Sequence, residues 1–194
     1  MPKFVSEDER KLTKEAIYEK TVNLIKEKGV RAVTVDDISG AVGIGKGSFY
    51  AYYPSKEICL FEAIMRCERE IFIRLEKMMA SVHSDIDKTI LLLKEIYTAE
   101  DGPMLALNPV DIEVLLRKLP AEYSEQWKTK SENNFQKSLQ LMNLNHQQME
   151  VVALLTDCLS FVASGKTYSK AGTNTALNLL IDAISCYLKR EVPK

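Results

Sequence analysis

Between Thr34 and Lys56 the sequence TVDDISGAVGIGKGSFYAYYPSK gathers Lys46, Ser48, Tyr50 and Tyr52 around a run of glycines. An ammonium, a hydroxyl and two phenols at this spacing supply hydrogen-bond donors and positive charge. The stretch holds no nucleophile motif, so its chemistry is recognition rather than bond-making. The spacing predicts a helix with Thr34 as N-cap and Asp36 and Asp37 in its first turn, where the helix dipole favours negative charge. Val35, Ile38, Ala41 and Val42 fall at helical spacing, and Gly43 ends the helix, because glycine takes the left-handed conformation cheaply. Ile44 plugs the corner. A second helix fits Lys46 to Tyr53, and Pro54 cannot continue it. Two short helices joined by a glycine-centred turn form a helix-turn-helix, whose second helix enters the DNA major groove. GIGKGS is a poor nucleotide loop, since no strand precedes it and the Gly-Lys-Ser/Thr ending is missing.

These donors need a scaffold. A helix from about Thr13 to Lys28 carries Ile17, Thr21, Leu24, Ile25 and Lys28 on one face, and Gly29 ends it after the cationic turn of Lys26 and Lys28. Three helices thus precede Pro54, which is the minimal core for this kind of DNA binding, because a short recognition helix is unstable alone. Ile38, Ile44, Phe49 and Tyr53 are assigned to that core.

The chain of 194 residues has a formal net charge of -1 and the apolar and charged fractions of an ordinary globular protein. Between Arg10 and Lys56 nine basic residues face five acidic ones, a mild basic footprint. No apolar run approaches the roughly 20 residues of a membrane span, and the polar start MPKFVSEDERK has no signal core, so a cytoplasmic location without membrane contact is expected. Cys59, Cys67, Cys158 and Cys186 lack metal or disulfide spacing and read as buried free thiols. His83 and His146 stand far apart in sequence, and neither a metal nor a cofactor is expected.

The run from Ile17 to Lys56 is similar throughout to the DNA-binding head of the tetracycline-repressor (TetR) family of transcriptional regulators. The matching features are the Lys-Gly end of the first helix, Thr34-Val35 with Asp37-Ile38, Gly43-Ile44, Lys46-Gly47-Ser48-Phe49-Tyr50, and Pro54-Ser55-Lys56-Glu57. The resemblance implies that Lys46, Gly47 and Ser48 form the groove-facing turn of the recognition helix, with Gly47 allowing close backbone approach. It implies phosphate contacts for Tyr50 and Tyr52, and phosphate clamps at Thr34 and Lys56. Gly45 departs from the family's usual Ser or Thr N-cap, and Gly40 lies inside the first helix of the pair. With Gly43 and Gly47 these make a glycine-rich head, expected to be mobile until DNA orders it.

The expected fold class is all-α, with a helix-turn-helix head over residues 1–54 and a helical ligand-binding and dimerisation domain over 55–194. Helices are predicted from Ser55 to about Ala80, Ser84 to Ala99, Pro109 to Lys118 behind an Asn108 N-cap, and Ala121 to Met142. Two more span His146 to Ser164, read as buried on all sides, and Thr173 to Arg190, which carries two apolar stripes. A terminal helix with two stripes needs a partner, so a twofold four-helix interface is expected from Val152, Leu155, Leu159, Leu177, Leu180, Ile181, Ile184 and Leu188. Met65, Tyr97, Trp127 and Asn134 are candidates to line a pocket for a small hydrophobic or aromatic effector.

The function expected is a DNA-binding regulator, in its simplest form a repressor. A homodimer would bind a near-palindromic operator on double-stranded DNA and be released by the effector. A helical enzyme is the alternative from another class, disfavoured by the two histidines and the lack of a nucleophile or Glu-x-x-His motif. An interaction protein with a degenerate helix-turn-helix is the third.

Overall fold

The computed structural model describes residues 6–98, 109–142, 144–164 and 169–190, and among them every regular element is a helix. In chain order these are α1 (Glu7–Lys28), α2 (Val35–Val42), α3 (Lys46–Phe49), α4 (Lys56–Met79), α5 (Asp85–Tyr97), α6 (Pro109–Leu116), α7 (Ala121–Met142), α8 (His146–Ser164) and α9 (Lys170–Arg190). Asn108, the expected cap of α6, lies outside the described residues.

Local chemistry sets most of these boundaries. Ser6 accepts from the Glu9 amide at 3.1 Å while Glu9 accepts from the Ser6 amide at 2.9 Å, a capping box that starts α1 two turns before Thr13. Gly29, at φ 80°, ends α1 by donating its N–H to the Ile25 carbonyl at 2.8 Å. Ser55 and Ser84 cap α4 and α5 by accepting from the amides of Ile58 and Asp87. Asn145 and Gln148 exchange side-chain to backbone bonds of 2.9 and 3.0 Å at the start of α8.

Two buried cores result. The first gathers Ile17, Val22 and Ile25 of α1, Ile38 of α2 and Phe49 of α3 with Cys59, Leu60, Ile64 and Ile71 of α4, and continues to Ile112 and Leu115 of α6. It runs unbroken across the junction at residues 54 and 55, so head and α4 share one hydrophobic interior. Thr21 is fully buried there, with its hydroxyl 3.6 Å from the Cys59 sulfur. Burial pushes the Cys59 thiol up to about 12. The second core is made by α5, α8 and α9 around Leu93, Leu159, Leu177, Ile181, Ile184 and Leu188.

Two polar braces tie α4 to its neighbours. Arg66 donates to Glu15 of α1 and to Glu70, and its guanidinium lies 3.8 Å from the Tyr18 ring centroid. The Tyr18 hydroxyl donates to Glu70 at 2.7 Å. Further along, Lys130 of α7 donates to the Met65 carbonyl at 2.6 Å and pairs with Glu68 at 2.9 Å.

The second core corrects the expected interface. Val152, Leu159, Leu177, Ile181, Ile184 and Leu188 are buried within the chain, and Leu155 and Leu180 pack against them. These residues pack α8 and α9 within the chain. Nor is α8 buried on all sides, since Leu154 is 61% exposed and Phe161 77% exposed. Cys158 lies between them on the same face, and Leu179, Ala183 and Cys186 form the exposed stripe of α9. Only Cys59 and Cys67 are therefore the buried thiols expected of all four.

Candidate nucleic-acid interface

The recognition turn is built on one buried ring. Gly45, at φ -70° and ψ 149°, is the N-cap of α3, and its carbonyl accepts from the amides of Ser48 at 2.9 Å and Phe49 at 3.1 Å. No side chain caps this end. Regular helix stops at Phe49, four residues short of the expected Tyr53, and the chain continues in turns in which Ala51 donates to Ser48 and Tyr52 to Phe49. The shift to i−3 bonds at Ala51 and Tyr52 marks the early stop, and Pro54, with no N–H, closes off any further helix. Phe49 has no exposed surface and stacks on Tyr53, with centroids 5.9 Å apart. With that ring anchored, Lys46, Gly47, Ser48 and Tyr50 are left together on the surface, Tyr50 with 49% exposure.

The preceding turn fixes how α3 leaves α2. Gly43 adopts φ 78° and ψ 29°, the left-handed conformation, and its N–H donates to Ser39 and Gly40. Ile44 is half-buried against the first core beside fully buried Ile38.

Charge around the turn is largely paired. Lys46 reaches back to Asp36 at 3.0 Å, and that hydrogen bond raises its pKa. Thr34 caps α2 as expected, but both of its donors are engaged: its amide and its hydroxyl donate to the Asp37 carboxylate at 2.9 and 2.8 Å. Lys28 binds the other oxygen of Asp37. The bond from Lys28 and those from Thr34 hold the Asp37 carboxyl at about 2. The Thr34 hydroxyl also accepts from the Asp37 amide at 3.1 Å, so the side chain is committed within its own turn.

Lys56 differs from the expected free clamp. It is half-buried and donates to the Val33 carbonyl at 2.9 Å, tying the start of α4 to the loop before α2. Tyr52 is half-buried beneath Arg10, which lies 5.8 Å from its ring centroid and donates to the Ala51 carbonyl at 3.3 Å. Lys14 sits 5.3 Å from the Tyr53 centroid, and burial pushes the Tyr53 phenol well above its ordinary value. The contribution of Arg10 and Lys14 was hidden in a stretch read as lying before or at the start of α1. The Ser6-x-x-Glu9 spacing is the signal that reveals it.

The four pocket candidates do not converge. Met65 and Trp127 pack against the first core, where Trp127 lies 6.4 Å from the Phe61 centroid. Tyr97 packs against the second core instead, and its hydroxyl lies 2.7 Å from the Ser160 hydroxyl. Asn134 is half-buried on α7.

Residues 17–63, which enclose the whole turn and its anchoring core, match the family model described as bacterial regulatory proteins, tetR family. The similarity to the TetR family lies in this segment of the chain. The chain is 38% identical over 65 residues to the uncharacterised HTH-type transcriptional regulator YerO of Bacillus subtilis, covering 34% of this chain and 22% of that one. It is 31% identical over 83 residues to the HTH-type transcriptional regulator EthR of Mycobacterium tuberculosis, covering 43% and 37%. The chain therefore aligns with well under half the length of these curated relatives. The whole fold is shared more widely. A transcriptional regulator of Saccharomonospora viridis, solved in complex with choline, superposes with a TM-score of 0.62 at 15% identity, covering 89% of this chain and 96% of that one. A TetR/AcrR-family regulator of Thermobifida fusca gives a TM-score of 0.57 at 20% identity, covering 89% and 96%. The curated relatives are described as HTH-type transcriptional regulators.

Proposed function

We propose that this chain is a TetR-family transcriptional regulator that binds a near-palindromic DNA operator as a homodimer. In this reading it acts as a repressor released by a small hydrophobic or aromatic molecule. The observation that carries the DNA-binding part is the exposed edge of Lys46, Gly47, Ser48 and Tyr50, projected from a helix whose only buried side chain is Phe49. A cation, a hydroxyl and an unobstructed backbone at a helix N-terminus suit the major groove, where lysine and serine donate to base edges or phosphate.

The homodimer is supported by the exposed apolar face of Leu154, Cys158 and Phe161 on α8 beside that of Leu179, Ala183 and Cys186 on α9. A self-complementary face of this kind pairs by a twofold axis, which sets two recognition helices in opposite directions and calls for an inverted repeat. Release follows from the shared first core. A ligand that prefers one placement of α4 also shifts the head, by as much as its affinities for the two states differ.

Selection of bound fragments from random DNA tests the reading. An enriched inverted repeat bound by two protomers is the expected result, and binding without sequence preference refutes it.

A further inference from the structure

A cleft of about 660 Å³ opens between α1, α4 and α7, with Tyr53 at its edge. Its size falls within the range of small-molecule sites. Its apolar side is aromatic. Phe61 is buried at the base with Tyr123 edge-on at 5.2 Å, and Met65 continues the same wall.

Its charged side is cationic. Lys11, Lys14, Arg66 and Arg69 line it against two carboxylates, and both of those are already paired, Glu15 with Arg66 and Glu62 with Lys14. Lys11 and Arg69, both exposed, form no ion pair with a described residue. Beyond Met65 and Gln126 the surface turns acidic at Glu122 and Glu125. An elongated ligand with one charged end is thereby oriented, its anionic group toward α1.

We propose that this cleft binds a small aromatic anion, with the ring against Phe61, Met65 and Tyr123 and the negative group between Lys11 and Arg69. Because α1 belongs to the head and α7 to the body, the occupant touches both. The proposal does not rest on DNA binding and is tested without it.

The test uses two naphthalene probes on the full chain, the anionic 8-anilinonaphthalene-1-sulfonate and the neutral N-phenyl-1-naphthylamine. Lys11→Gln, Arg69→Gln and the double variant change only exposed side chains, and circular dichroism checks that each is folded. The anionic probe should bind the wild type saturably and about tenfold more weakly to the double variant, with each single variant between, as expected for loss of two partly solvated charge contacts. The neutral probe, which also reports adsorption to the exposed stripes of α8 and α9, should be unchanged. Absence of saturable binding of the anionic probe overturns the proposal. So does equal affinity in wild type and double variant, or an equal loss of both probes. An inverted-repeat operator would still emerge from DNA selection if this cleft were empty, so the two proposals fail separately.

Discussion

Gly40 and Gly47 are matched glycines in the same head. Both are helical and exposed, both have nothing within 4 Å of an added Cβ, and neither needs a positive φ. Replacing a helical glycine by alanine under these conditions stabilises a protein by about 0.5–1 kcal/mol, chiefly by restricting the unfolded chain. For a domain of this size that corresponds to a rise in melting temperature of roughly 1–4 °C. Gly40→Ala and Gly47→Ala should therefore both raise the melting temperature, Gly47→Ala by less because α3 has only one turn. On DNA they should part. The methyl at position 47 stands between Lys46 and Ser48 and holds the backbone off the groove. Losing one base contact costs about 1–3 kcal/mol, or roughly 5- to 150-fold in affinity. Fluorescence anisotropy on the selected operator reads this directly. Unchanged affinity for Gly47→Ala, or an equal loss for Gly40→Ala, would refute the assignment of Gly47 to the contact edge.

If Lys46 contacts DNA as proposed, its pair with Asp36 must be given up, so Asp36→Asn should tighten operator binding about threefold at low salt, with the gain fading as salt rises. Asp37 is held at about 2 by Lys28 and Thr34, below its ordinary value, so its contribution to stability is complete above about pH 4 and is lost as pH falls toward 2. Thermal melts from pH 5 to pH 2 should show a steeper decline for wild type than for Asp37→Asn, and parallel curves would contradict the cap. Cys158 and Cys186 lie on the proposed dimer face, whereas Cys59 and Cys67 are buried in the first core. At nanomolar protein two thiols should react rapidly with a maleimide and at micromolar protein they should be protected; labelling that ignores concentration would count against the interface. Phe161→Glu should yield a monomer in size-exclusion chromatography, because Phe161 is 77% exposed on the proposed dimer face; a variant that stays dimeric would count against that face.

The head was legible because its signals are local. Thr34 and Gly43 act on their own neighbours, and the structure caps α2 and turns the chain at those residues. Phe49 and Ile38 declared themselves by spacing. The Lys56 contact was not legible for the opposite reason: its partner, the Val33 carbonyl, depends on how the α1–α2 loop folds back, whereas the Thr34–Asp37 box is local. The interface stripe failed through a face ambiguity. On α9 the stripe of Leu177, Ile181, Ile184 and Leu188 is more hydrophobic than that of Leu179, Ala183 and Cys186, and the chain buries the stronger stripe in its own core. Periodicity finds both faces but does not say which one a neighbouring helix claims first. Pocket lining is less legible still, because it needs the relative placement of four helices.

The central claim is that Lys46 and its neighbours read DNA. Its most direct measurement is a salt titration of operator binding by the wild type and Lys46→Ala. If Lys46 contacts phosphate, the slope of log K against log salt should become shallower by about 0.9 per site while sequence preference persists; if it reads a base, the slope should hold and preference relax at one position in each half-site. Identical affinity, slope and preference in the two proteins would contradict the account.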